Sequence, residues 1–123
     1  MNPPPPQQSS RSVIHKVYAL YLQFYACSKV FPKKDRLTLA VRIEQRILET
    51  LELLLLAQTK TGKSRLLILK KCDLKAKTLQ LLVRMAYEVK ALDQRKYLAL
   101  EEKLLEIGRM IGGWLRHTTT PDP

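Results

Sequence analysis

Four long segments in which apolar residues recur at alternating steps of three and four leave this chain little choice of fold. That spacing returns to one side of a 3.6-residue helix, whereas a strand turns its faces every second residue. The first segment, from about Ser12 to Phe31, carries Val13, Val17, Leu20, Phe24, Cys27 and Phe31 in phase. Pro32 closes it, because the residue before a proline is pushed out of helical geometry. The second, from about Lys34 to Gln58, carries Ala40, Ile43, Ile47, Leu54 and Ala57, with Thr50 the one polar member of its stripe. Thr59 to Lys63, containing Gly62, reads as a turn. The third segment runs from about Ser64 to Ala91 through Ile68, Cys72, Leu79, Leu82, Ala86 and Val89, with Lys75 as a misfit. The fourth follows Asp93, a candidate N-cap, and carries Tyr97, Leu100, Leu104, Ile107, Ile111 and Trp114.

Helices of similar length joined by short turns run up and down beside one another, so the pattern predicts an all-α, up-and-down four-helix bundle over residues 12–117. Pro3 to Pro6 and the neighbouring Gln and Ser predict a disordered lead-in over residues 1–11, and residues 118–123 read as a disordered tail. The N-terminus has neither the basic nor the apolar region of a signal peptide, and no apolar run approaches the ~20 residues of a membrane span. The expected location is therefore the cytoplasm, with no membrane contact. Cys27 and Cys72 both fall at core phases and read as reduced thiols ahead of a disulfide or a ligand pair, and nothing pairs them with His at metal spacing. No metal or cofactor is expected.

The first two helices are apolar over more than one face. Tyr18, Tyr21 and Tyr25 join Ile14 and Leu22 on the first, and Val41, Leu48 and Leu55 join further leucines on the second. A bundle needs only about three of every seven positions for its own core. The surplus predicts an oligomer interface on these residues, ahead of cover by a loop or the N-terminal segment.

Charge supplies the other surface. The 22 basic and 11 acidic residues give a formal charge of +11, and a balance that positive attracts polyanions. Lys63, Lys70, Lys77 and Arg84 recur every seven residues along the third helix, a line of about 32 Å at 1.5 Å per residue. With Cys72, Leu79 and Ala86 placed at the first core position of each heptad, this line lies on the side away from the core. Arg65, Lys71 and Lys75 flank it, and Asp73 is the one acid between Lys60 and Lys77. Ordinary exposed faces mix signs, so a row of one sign points to a phosphate backbone or an acidic protein surface rather than to solvent alone. Lys33, Lys34 and Arg36 form a smaller basic cluster at the first turn. Stacking aromatics are not evident beside the row, which favours backbone and shape recognition over base readout.

Other features argue against catalysis. Ala57 to Ser64 nearly spells a phosphate-binding loop, but its leading glycine is Ala57 and helix, not strand, precedes it. His15 and His117 stand far apart in sequence with no nucleophile or ligand set, so no catalytic residue and no small-molecule substrate is assigned. Gly108 and Gly112 share one face of the fourth helix beside Trp114, and this predicts close helix packing there, ahead of a helix end at Gly112-Gly113.

Phe31-Pro-Lys-Lys, the Ala57 to Lys63 turn and Glu106-Ile-Gly-Arg-Met-Ile-Gly-Gly-Trp-Leu115 resemble the accessory variability determinant (Avd) proteins of diversity-generating retroelements, over about Val13 to Arg116. Those belong to a wider group of four-helix-bundle proteins that includes the ribosomal-RNA intervening-sequence proteins. The resemblance implies a homopentameric barrel, basic outside, that associates with a reverse transcriptase and structured RNA (the template repeat and its flanks). It implies a non-catalytic role supporting mutagenic cDNA synthesis and retrohoming, with Arg84 as the leading residue for partner binding. Gln80 departs from the pattern, being neutral where a basic residue is common. The rival readings are a ribosomal-RNA-associated bundle with no polymerase and a structural helical oligomer with no nucleic acid.

Overall fold

The computed structural model describes residues 6–119, and the side chains of residues 10–119. The chain forms α1 (Pro6–Ser28), α2 (Lys33–Arg36), α3 (Leu39–Gln58), α4 (Gly62–Glu88) and α5 (Gln94–Thr119), with no strand among the described residues. The four long helices make an up-and-down bundle in which α1 packs on α3 and α5, and α4 packs on the same two from the other side. Viewed along the axis the order is therefore α1, α3, α4, α5. Val13, Val17, Leu20 and Phe24 of α1 meet Ile43, Ile47 and Leu54 of α3, Leu69 and Leu79 of α4, and Leu100, Leu104, Ile107 and Ile111 of α5 in one continuous core.

Helix α1 begins at Pro6, earlier than the expected Ser12. Proline lacks only an N–H that has no partner in a first turn anyway, and its fixed φ suits that position. Residues 1–5 and 120–123, which carry the rest of the expected lead-in and tail, lie outside the described residues. Phe31 lies beyond the helix yet stays buried, its ring edge-on to Phe24 at 5.7 Å.

The expected second helix is divided. Lys33–Arg36 is a single turn, and Thr38, at φ −120° and ψ −79°, separates it from α3. The Thr38 hydroxyl donates to the Lys34 carbonyl at 2.8 Å, the local competition by which threonine interrupts a helix. Thr50 is buried in the core stripe and spends its hydroxyl on the Arg46 carbonyl, 2.7 Å away.

Helix α4 corrects the phase expected for it. Its buried residues are Leu69, Cys72, Ala76, Leu79, Val83 and Ala86, an unbroken alternation of three and four. Ile68 and Leu82 are partly buried at the edge of the core, and Val89 is exposed. Lys75 is then no misfit: it flanks the core, and its Nζ lies 2.6 Å from Glu49 of α3. The helix ends at Glu88, before the expected Ala91. Lys90 turns left-handed at φ 67°, and the N–H groups of Lys90 and Ala91 donate back to Tyr87 and Ala86 at 3.0 and 2.8 Å. That pattern satisfies the last carbonyls, as a terminal glycine usually would. The Asp93 carboxylate then accepts the Lys96 N–H at 2.8 Å and caps α5 as its sequence position implies.

Cys27 and Cys72 are both buried thiols. Burial pushes the Cys72 thiol up to about 12 and also raises Cys27.

Candidate interaction faces

The corrected phase of α4 rearranges its outer surface. With Leu69, Ala76 and Val83 as one core line and Cys72, Leu79 and Ala86 as the other, the line farthest from the core is Leu67, Leu74 and Leu81. These leucines are 62%, 66% and 60% exposed. The signal was present in the sequence: the stripe that needs no misfit at Lys75 is the true one.

The basic row lies to one side of the leucines. Lys63, Lys70, Lys77 and Arg84 each follow a core-line position by one residue and are exposed. The charges of Tyr97 and Glu101 act on Arg84, which places the row on the flank that faces α5. Its members are not equivalent. Lys77 pairs with Asp73 at 2.9 Å and Arg84 with Glu88 at 3.1 Å, and the Glu88 bond holds Arg84 more firmly protonated. Lys63, Lys70 and Lys71 make no ion pair among the described residues. Exposed pairs of this kind are worth little, so Lys77 and Arg84 remain usable, but the uncompensated charge gathers at the N-terminal half of α4.

Arg65 does different work from its neighbours. Its Nε donates to the Ala57 carbonyl at 2.9 Å, and its guanidinium lies over the Trp114 ring at 5.5 Å. Arg65 therefore ties the α3–α4 turn to the end of α5. Lys33, Lys34 and Arg36 are exposed on α2. They sit at the opposite end of the bundle from Lys63, because Gln58 meets Ser10 at one end while Lys96 and Asp93 act on Cys27 at the other. Lys71 lies on the other side of the leucines, lining a groove with Glu49, Glu52 and Leu53 of α3. The sequence-predicted basic residues therefore divide between the α5 flank, the α3 flank, the α3–α4 turn and a remote cluster on α2.

An aromatic pair does lie beside the row, at its far end. Tyr87 and Tyr97 stack at 4.6 Å with their planes 9° apart, each half-buried against the other.

The expected oligomer residues share one face, the groove between α1 and α3. Tyr18, Tyr25, Val41, Leu48 and Leu55 are each between 41% and 56% exposed. Tyr21 instead packs inward on the core, 6.3 Å from Tyr25. Ile14, Tyr18, Leu55 and Gln58 line a groove of about 430 Å³ at the α1 start. In the order α1, α3, α4, α5 this apolar face is opposite the α4/α5 face that carries the basic row.

The glycines of α5 do not admit another backbone. A Cβ on Gly108 would meet the Gln80 side-chain nitrogen at 3.7 Å, and one on Gly112 would meet the Arg116 guanidinium at 3.4 Å. Close helix packing at Gly108 and Gly112 is therefore not what the structure uses them for, although Trp114 is buried as expected. Gln80 faces α5 here, so its neutrality does not interrupt the outer row.

The fold and these faces define a small helical bundle built to present surfaces. Among the described residues no group of His, Cys, Asp and Glu is placed to hold a metal, and no helix is long and apolar enough to cross a membrane. A family model described as bAvd-like matches residues 12–118, and the chain belongs to that family. It is an Avd-type accessory protein, of a family that is generally non-catalytic. No curated protein matches the chain.

Proposed function

We propose that this protein is the accessory subunit of a diversity-generating retroelement, binding its reverse transcriptase and structured template RNA through the basic α4/α5 face. Catalysis belongs to the polymerase, and the bundle contributes affinity and geometry to mutagenic cDNA synthesis. In this reading the apolar α1/α3 face builds a homo-oligomer, the pentamer that the sequence resemblance implies. The carrying observation is the opposition of the two faces: self-association through α1 and α3 leaves Lys63, Lys70, Lys77 and Arg84 uncovered. Several such rows in one assembly multiply the contacts with a long polyanion.

The test uses the element's template-repeat RNA, labelled for fluorescence anisotropy across a salt series, with co-purification of the reverse transcriptase as a second readout. Lys63→Glu and Lys70→Glu are expected to weaken RNA binding and make the slope of log affinity against log salt shallower by about 1 each. Neither change is expected to lower the melting temperature, since both side chains are exposed and each substitution reduces the positive charge of a self-repelling chain. Wild-type protein that ignores both the RNA and the polymerase at low salt overturns the proposal.

A further inference from the structure

The stacked tyrosines at the far end of the basic row are layered outward from the core. Tyr97 of α5 packs on the hydrophobic core, and Tyr87 of α4 lies nearly parallel over it, 4.6 Å away with the planes 9° apart. Among the described residues no third ring and no cation lies over Tyr87, which stays partly exposed. The order from the core outward is therefore Tyr97, Tyr87, solvent. Aromatic faces favour a further offset, parallel ring, and a ring already backed by the core loses little freedom when one settles on it.

The charges around the pair decide what that ring is. Arg84 lies three residues before Tyr87 and so stands beside it on the helix surface. Lys90 and Arg95, exposed at the following turn, form no ion pair among the described residues. The tyrosines are thus bracketed by cations at the end of the row, which suits a ring that arrives with phosphates on either side. Two carboxylates stand close as well: Glu88, paired with Arg84 at 3.1 Å, and Glu101, which acts on both Arg84 and Tyr97. A carboxylate repels phosphate but accepts the N–H groups that every nucleobase carries on its edge. Phosphates therefore belong on Arg84 and Lys90, and a base belongs on Tyr87. A base paired inside a duplex has no free face to offer, so the ligand is single-stranded there.

We propose that Tyr87, backed by Tyr97, is a stacking platform for one unpaired base of an RNA whose flanking phosphates lie on Arg84 and Lys90. This rests on the RNA binding in the proposed function and deepens it. A row of lysines treats duplex and single strand alike as lines of phosphate, whereas the tyrosines at its end distinguish them.

Fluorescence anisotropy of the full chain across a salt series tests this, with a short single-stranded RNA and a blunt duplex of the same length as probes. Tyr87→Ala is expected to weaken single-strand binding by about 5- to 150-fold at every salt concentration. The slope of log affinity against log salt is expected to stay unchanged, because a stacked base releases no counterion. Duplex affinity is expected to stay within about twofold of wild type. Tyr87→Phe and Tyr87→Trp keep an aromatic face and are expected to bind the single strand at least as well as wild type, which separates stacking from a folding defect or a lost hydroxyl. Tyr87→Ala protein that binds the single strand like wild type overturns the proposal. So does an equal loss on single strand and duplex, or a loss in both Tyr87→Phe and Tyr87→Trp as large as in Tyr87→Ala. Wild-type protein that binds the duplex but not the single strand also overturns it and leaves the basic-face reading standing. Wild-type protein that binds neither probe at low salt removes that reading, and the platform with it.

Discussion

Cys72 shows how a single side chain couples the bundle to pH. Its thiol is fully buried, and burial disfavours the thiolate, which raises its native value from 9.0 to about 12. Below pH 9.0 folded and unfolded chains both hold this proton, and stability is unaffected. Between 9.0 and about 12 only the unfolded chain releases it, so the folded state loses up to about 1.4 kcal/mol per pH unit. Denaturant melts from pH 8 to 10.5 are expected to show this alkaline loss, and Cys72→Ala, although less stable at neutral pH, is expected to flatten it. An unchanged alkaline slope in Cys72→Ala would assign the loss to other groups. The same residue shows what sequence reading gets right and wrong. Cys72 was legible as core because its apolar neighbours recur around it. Lys75 was misread as a core misfit because a charge at a half-buried flank is decided by its partner, Glu49, on another helix.

At the level of an element, α5 carries an internal cost that its surroundings do not require. Gly108 sits in mid-helix, where glycine is about 1 kcal/mol worse than alanine. The nearest atom to a new Cβ is the end of the Gln80 side chain, in ordinary van der Waals contact at 3.7 Å. Gly108→Ala is therefore expected to raise stability by about 1 kcal/mol, read as a higher urea midpoint at unchanged slope. A lower midpoint would mean that the glycine is needed for packing in the assembled state. Helix α4 makes the complementary point about legibility. Its existence was readable from period, while its ends, Gly62 and Glu88, fall two and three residues before the expected Ser64 and Ala91. Its rotation was not, because two stripes offset by a few residues are nearly equally apolar, and only contact with α3 and α5 selects one. That choice moved the lysine row from the outermost line to the α5 flank and exposed the leucine ridge.

At the scale of the whole molecule, charge sets the terms. A formal +11 on 123 residues is self-repelling, and the ion pairs that offset it are mostly exposed and individually weak. Raising salt from about 10 mM to about 150 mM shortens the Debye length from about 30 Å to about 8 Å and screens that repulsion. The melting temperature is expected to rise by a few degrees over this range, while RNA affinity falls. A melting temperature that falls with salt would show that the local pairs outweigh the repulsion between rows.

The sequence by itself determined that the chain is helical, how many long helices it has, which residues of α1 and α3 and, apart from the half-buried Tyr97, of α5 are core, and that its surface is basic. Those properties are periodic or additive along one chain, and hydrophobic spacing and charge report them without reference to a neighbour. The tertiary structure alone decided which way α4 faces, that Arg65 serves the α3–α4 turn and Trp114, that Lys77 and Arg84 are compensated while Lys63 and Lys70 are not, and that the apolar and basic faces oppose one another. Each of these depends on the angle or distance between helices far apart in sequence, and a one-dimensional pattern carries neither.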